Sequence, residues 1–520
     1  HLGWQMSLEF FDMTKIILPK PMVWLLAMDV FARAFIIMAG VFLGPALLEC
    51  ASKAVETQCL SRTFDSEEGL EECIQMGRVH GFRPSSLLSN IAIASGFLGS
   101  VLMPLVGACV DHTPFRWHVG ACSALGLVFV KGAETIISPK TWFVCAWFQV
   151  LSSIFYNIHV TTTLAYTSDL SDEPAKQSSY NTYFGVVMYF STILFLAFVS
   201  IMSGLLTPGD DIGTARISQI TTTLGSVVVF FYCWKYFFRN KPALSSIPEG
   251  QNIVSVGFYK VLDTRERVTR ELPGLKWFLI SIMFAESASM TLATIGTTFM
   301  KEHLKMGADE ISVVFGCVLI MGAPGSKLGG WLALRINSLN GAIVCNIIFI
   351  FSTAIAAVAL TGPEHKTHMN LIGSLWGLAI GFQAPIHATL LISIFPRGSE
   401  AEFMGLYILA SQILSWLPPL LFTMINEAGL SMNYGLASVD VFFLLGIGAL
   451  FMMGDYDSVV NHGRVAYSIQ PQEEEEEETD IQLDKEKLHH QNGLGNFEDS
   501  INALHHRHAP LSEREIRVIN

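Results

Sequence analysis

The sequence predicts an all-α membrane protein of about twelve transmembrane helices, arranged as two six-helix halves. Three observations carry that fold class. The 520-residue chain is 51% hydrophobic and only 15% charged, where a soluble domain carries about 25% charged residues. Apolar runs long enough to cross a hydrocarbon core of about 30 Å recur along it. One basic polar stretch divides those runs into two equal sets.

In order, the first set is Met22–Leu48, Leu87–Val110, His118–Ile137, Trp142–Tyr166, Tyr183–Leu206 and Ile220–Phe238. The second is Leu275–Phe299, Ile311–Leu334, Ala342–Leu360, Leu371–Phe395, Phe403–Ile425 and Tyr434–Met453, the last interrupted by Asp440. Backbone polar groups find no partner in lipid, so these runs must be helices, and the short alternating strands of a barrel are absent from the pattern. The organisation read from this is a segment at 1–21, an N-terminal half at 22–238, a linker at 239–274, a C-terminal half at 275–454 and a tail at 455–520.

The linker region holds Lys235, Arg239, Lys241, Lys260, Arg265, Arg267, Arg270 and Lys276. Positive loops stay in the cytosol, which places both termini there and the acidic Glu49–Ser86 segment on the opposite face. That segment reads as a loop in which Cys50, Cys59 and Cys73 can form one disulfide. The other six cysteines fall in apolar stretches, where cysteine packs as a small hydrophobe. The tail carries Glu473–Glu478 and histidines 489, 490, 505, 506 and 508, a composition that cannot bury a core and predicts disorder. Its histidines lack the ligand spacing of a metal site, so no metal is expected. No P-loop, HExxH or GxSxG pattern occurs, so the expectation is neither an enzyme nor an ATP-driven machine, with no catalytic residue and no cofactor.

Ionisable residues inside apolar spans are costly and therefore candidates for function. Asp29 and Arg33 share one face of the first span, four residues apart. Glu286 lies in the seventh span, the counterpart of the first. Both acids sit roughly 10–17 Å from the cytosolic end at 1.5 Å per residue. Asp29 and Arg33 read either as a self-neutralising pair or as part of a solute site. Glu286 reads as a packing element held by nearby serines or as an anion for an ammonium group. In the tenth span His387 serves either the backbone freed by Pro385 or a ligand, and Gln383 either glues helices together or reads a solute's polar groups. Burial favours the neutral form of a carboxyl, so either acid can carry a coupling proton. Lys131 and Glu134 are read as snorkelling outward. Gly325-x-x-x-Gly329 reads as a close helix contact.

The second span ends in Pro104-Leu-Val-Gly107-Ala-Cys-Val-Asp111, followed by Arg116. This resembles the signature of the major facilitator superfamily, with a weak echo at Gly330-Trp-Leu-Ala-Leu-Arg335 in the second half. The resemblance implies the major facilitator fold, with two halves rocking about a site near the midplane. It also implies a cytosolic latch: Asp111 against the start of the eleventh span, and Arg116 against Glu400 or Glu402.

Within that superfamily, Gly377–Glu427 is similar to the autophagy-related vacuolar amino-acid effluxers, the Atg22-like family. The matching features are Gln383-Ala384, Phe395-Pro396 and the Glu400-x-Glu402-Phe403-x-Gly405-x-Tyr407 motif. Met28-Asp29-Val30-Phe31-Ala32 and Phe155-Tyr156-Asn157 agree, adding Tyr156 and Asn157 to the candidates. The chain departs from the family pattern at His159, where Leu-Pro is usual, around Tyr180–Gly185, where glycines are usual, and at Ile386-His387, where Ser-Arg is usual.

The resemblance implies a monomeric secondary transporter that moves neutral amino acids out of a vacuole or lysosome, with a small-molecule substrate, a lipid surround and no nucleic acid. The alternatives are a carrier of another small solute (sugar, peptide or organic ion), a plasma-membrane location, or a non-transporting receptor on the same fold.

Overall fold

The computed structural model describes residues 21–62, 67–167, 170, 174–239, 242–243, 252–394 and 400–460. The expected disordered tail lies almost wholly outside them. The N-terminal half comprises α1 (Pro21–Leu60), α2 (Glu67–Met76), α3 (Leu87–His112), α4 (Arg116–Glu134), α5 (Trp142–Thr167), α6 (Pro174–Leu206) and α7 (Asp211–Tyr236). The linker contains α8 (Ile253–Glu271). The C-terminal half comprises α9 (Pro273–Thr298), α10 (Ala308–Ile336), α11 (Ser338–Ala359), α12 (Met369–Ile394), α13 (Glu400–Ile413), α14 (Leu417–Glu427), α15 (Met432–Ala437) and α16 (Val439–Met452). Among the described residues, eleven helical segments are long and apolar enough to cross a membrane. Large apolar side chains such as Leu125, Phe190, Val228, Phe351 and Val358 point outward, as a lipid surround requires.

The segment that falls short is α4, the third expected span. Its 19 residues include Arg116, Lys131 and Glu134, all buried. Lys131 and Glu134 do not snorkel: Lys131 Nζ lies 2.9 Å from Glu134 Oε2 and donates to Gln149 Oε1 at 3.2 Å inside the half. Charges on α4 lower its hydropathy, yet the helix packs against α5 and α7 because those charges are paired inward.

Three further boundaries differ from the sequence reading. The acidic segment after Leu48 is not all loop, since α1 runs on to Leu60 with Ala51, Val55 and Cys59 buried at one-turn spacing. Cys59 pairs with Cys73, tying the end of α1 to α2, and Cys50 stays a buried free thiol. The eleventh span breaks into α13 and α14 just before Pro418 and Pro419, where proline can only open a helix. Asp440 lies in the first turn of α16, where a carboxylate is tolerated at the positive helix end.

Successive spans run in opposite directions, so the bundle has two faces. The face bearing α8 is called the linker face. The other bears α2 and a tight turn, bridged from Val79 to Phe82, whose tip residues His80 and Gly81 have φ of 52° and 90°. It is called the hairpin face.

The closest helix contact is α10 on α12. A Cβ built on Gly377 would lie 2.1 Å from the Val318 carbonyl oxygen, and one on Gly381 2.0 Å from that of Gly322. Gly325 and Gly329 make the reciprocal approach to Leu378 and Phe382, at 2.3 and 2.6 Å. With no side chains between them, the backbones meet and α12 is held in one register. That register positions Gln383 and His387.

Candidate functional site

Each half contains a carboxylate on its first long helix bonded to an imidazole on its fourth. In the N-terminal half Asp29 of α1 meets His159 of α5, with Nε2 2.9 Å from Oδ1. In the C-terminal half Glu286 of α9 meets His387 of α12, with Nδ1 3.1 Å from Oε1. A carboxylate only accepts, so the ring proton lies on Nε2 of His159 and on Nδ1 of His387.

The surroundings of the two pairs differ. Asp29 and His159 are both 0% exposed. Arg33 Nε stands 2.9 Å from Asp29 Oδ2, within ion-pair range but not aligned as a directed hydrogen bond. The second nitrogen of His159 faces Ser123 Oγ at 3.4 Å, and the ring lies between Phe230 and Trp234 at centroid distances of 4.8 and 5.7 Å. Tyr156 is within electrostatic reach of Arg33 and Asp29. Asn157 lies toward α3, its amide 3.8 Å from a Cβ built on Gly99.

Around Glu286 the partners are neutral donors. Tyr407 of α13 donates its hydroxyl to Oε1 at 2.9 Å, the atom that also accepts from His387. Among the described residues no lysine or arginine stands within ion-pair distance of Glu286. His387 Nε2 makes no hydrogen bond there. Gln383, one turn before His387, is 5% exposed and its Nε2 has no partner. Phe278 meets the His387 ring edge-on at 5.8 Å.

The structure thus gathers Asp29, Arg33 and Tyr156 in one cluster, and Glu286, Gln383 and His387 in or beside another. The sequence reading passed over two members. Tyr407 closes the motif that begins at Glu400, and its spacing from that motif was the available signal. His159 stood out only as a departure from the family pattern.

Of the gating candidates, Gly107 has open space where a Cβ would stand. Arg116 is 1% exposed, donates to the Ala165 carbonyl at 3.4 Å and lies over the Tyr166 ring at 5.5 Å, all within its own half. The side chains of Glu400 and Glu402 lie outside the described residues, as does any pairing with them.

The halves are joined at the hairpin face by a network that the sequence did not reveal. Glu427, ending α14, accepts from Arg83 N–H at 2.8 Å and from the Ser86 hydroxyl at 2.7 Å, with Arg78 3.1 Å away. Asn426 donates to Ser85 and Ser86 at 2.7 Å each. Nearby, Lys301 pairs with Asp211, whose other oxygen accepts from Ala308 N–H at 3.0 Å, and Ser52 donates to Glu302 at 3.2 Å.

Two six-helix bundles of this architecture have the major facilitator fold. Solved structures share the fold over most of the chain. The human organic anion transporter MFSD10 has a TM-score of 0.54 at 13% identity, covering 84% of this chain and all of that one. The nucleoside transporter NupG (D323A mutant) has a TM-score of 0.53 at 11% identity, covering 85% of this chain and all of that one. The family model described as "Vacuole effluxer Atg22 like" matches residues 166–461, more than half of the chain, and the protein belongs to that family. Autophagy-related protein 22 of Kluyveromyces lactis is 25% identical over 178 residues, which cover 33% of this chain and 35% of that relative's length. An uncharacterized MFS-type transporter, YxiO, of Bacillus subtilis is 21% identical over 372 residues, or 69% of this chain and 82% of the relative.

Proposed function

We propose that this protein is a secondary transporter that moves neutral amino acids out of a vacuole or lysosome by alternating access, using a proton gradient. One observation carries the reading: a buried carboxylate on the first helix of each half is bonded to an imidazole on the fourth, so ionisable groups sit at matching depth on both sides of the pseudo-symmetry axis. Such groups are too costly in a bilayer to be retained as filler. A zwitterion needs an anion for its ammonium and a cation or donor for its carboxylate, and Glu286, His387, Gln383 and Arg33 are the available groups. The family description, a vacuole effluxer, supports the organelle and the direction. With the basic linker in the cytosol, the hairpin face looks into the lumen, where the Cys59–Cys73 disulfide is stable. Asp111, Arg116, Glu400 and Glu402 then form the cytosolic side of the gate.

The test is uptake of labelled leucine and tyrosine into liposomes holding the purified protein, with and without a proton gradient. Saturable, gradient-stimulated uptake is expected. Uptake no greater than in empty liposomes removes the amino-acid assignment, and a screen of sugars, peptides and organic ions follows.

A further inference from the structure

The two carboxylate–imidazole pairs share a position and differ in charge. In the N-terminal cluster Asp29 carries −1 and Arg33 carries +1, and the neutral His159 ring donates to Asp29 while its other nitrogen lies 3.4 Å from Ser123 Oγ, whose own proton goes to the Gly120 carbonyl. The cluster is neutral as it stands, and a proton added to it would create an unpaired charge in a fully buried site. In the C-terminal cluster Glu286 carries −1 against two neutral donors, His387 and Tyr407. This cluster becomes neutral only by taking up a proton.

The groups facing Glu286 from the elements packed on α9 leave that count unchanged. From α12 come His387 and Gln383, from α13 Tyr407, and from α11 the buried thiol of Cys345, which lies within electrostatic reach. From α16 comes another acid, Asp440, six residues along its helix from Gly446, where an added Cβ would stand 3.2 Å from the Ala285 side chain. The ionisable residues of α3, Asp111 and His112, and the basic residues of α8 lie at the linker face. On α1 the acid and the base already answer each other. Lys276 of α9 lies in that helix's first turn, over the Trp277 ring.

We infer that the Glu286–His387–Tyr407 cluster is the proton-binding site of the transport cycle, that the proton is taken at His387 Nε2, and that the Asp29–Arg33–His159 cluster stays fixed throughout. Nε2 is the ring nitrogen left with a free lone pair, because Nδ1 already donates to Glu286. The added proton turns the imidazole into an imidazolium that keeps its bond to Glu286. The new N–H on Nε2 is also the donor that a solute carboxylate requires, with the unpartnered Gln383 amide one turn away. Proton uptake therefore assembles the anion-binding half of the site, and proton release dismantles it. The solute arm of this inference rests on the transport reading above; the proton arm does not.

The experiment counts protons first and moves leucine second, on the full chain. Proton uptake by the purified protein is titrated between about pH 8 and about pH 5. Wild-type protein is expected to take up one more proton than either His387→Arg or His387→Gln, and His159→Gln to match wild type. Two variants at position 387 guard against one that misfolds. In liposomes, His387→Arg puts a permanent cation beside Glu286, so the leucine exchange it supports at equal pH no longer rises as pH falls. Its accumulation ratio drops to about one, where one coupled proton supports about tenfold per pH unit.

Equal proton counts for wild type and both 387 variants overturn the inference, as does His387→Arg accumulating leucine at the wild-type ratio. A missing proton in His159→Gln overturns the assignment of a fixed role to the N-terminal cluster. The expected proton counts in a wild-type protein that exchanges no leucine support the proton site and remove the amino-acid reading alone.

Discussion

The ion pairs that stitch the halves together at the hairpin face and those buried within each half use the same residue types in opposite surroundings. Arg78 and Glu427 are 52% and 21% exposed, and their bond joins parts of the chain 349 residues apart. Asp29 and His159 are fully buried and belong to one half, as do Lys131 and Glu134. An exposed pair is worth about 0–1 kcal/mol, whereas removing one partner of a buried pair costs about 3–5 kcal/mol. Charges set between the halves are thus placed where water can replace a lost partner. Charges set within one half are sealed away from water. Asp211 is the intermediate case: its side chain is 5% exposed, and it holds both Lys301 and the first N–H of α10.

The sharpest way to break this contrast is Arg33→Ala. It strands Asp29 with only a neutral imidazole beside it, and thermal stability in detergent is expected to fall by about 3–5 kcal/mol. The double variant Asp29→Asn with Arg33→Ala should recover most of that loss, because the stranded charge is gone. A loss below about 1 kcal/mol in the single variant would mean that water reaches Asp29, and the distinction between buried and exposed pairs would fail.

Next in size is Gly381→Val, which tests whether α12 moves with its half. A side chain there must push the Gly322 carbonyl away, since even a Cβ would stand 2.0 Å from its oxygen. Overpacking of this kind costs about 1–3 kcal/mol. A displaced α12 also separates His387 from Glu286, so proton-driven uptake should fall by more than the loss of folded protein accounts for. Unchanged coupling in the surviving protein would detach the glycine contact from the site.

Much of the fold was legible because lipid leaves few options: apolar runs must be helices, and counting them gives the two halves. The Asp29–Arg33 pair was legible too, since four residues on one helix always share a face. What escaped the sequence was whatever depends on which helices touch. His159 and Tyr407 become partners of Asp29 and Glu286 only once α5 meets α1 and α13 meets α9. Lys131 and Glu134 were misjudged because a charge near a helix end reads as solvated, and only the position of Gln149 on α5 shows that it is not. The extension of α1 past Leu48 was masked by its polar residues, which lie on the face opposite Ala51, Val55 and Cys59.

The smallest effect, and the finest test of the contrast, belongs to Glu427→Gln. The amide oxygen can still accept from Arg83 N–H and Ser86, so only the charge attraction to Arg78 is removed. Folding stability should stay within about 0.5 kcal/mol of wild type, as for surface substitutions in general. The balance between the hairpin-closed and hairpin-open states should shift by about 1.5- to 5-fold, the equivalent of an exposed pair. Spin labels across the hairpin face read that balance through the distance between halves. Replacing Cys59 and Cys73 by serine should shift it the same way, because the disulfide anchors the segment that brings Arg78 and Arg83 to Glu427. A fall in stability as large as that of Arg33→Ala would show instead that the hairpin-face network holds the fold together, leaving the separation of the halves to be explained by other contacts.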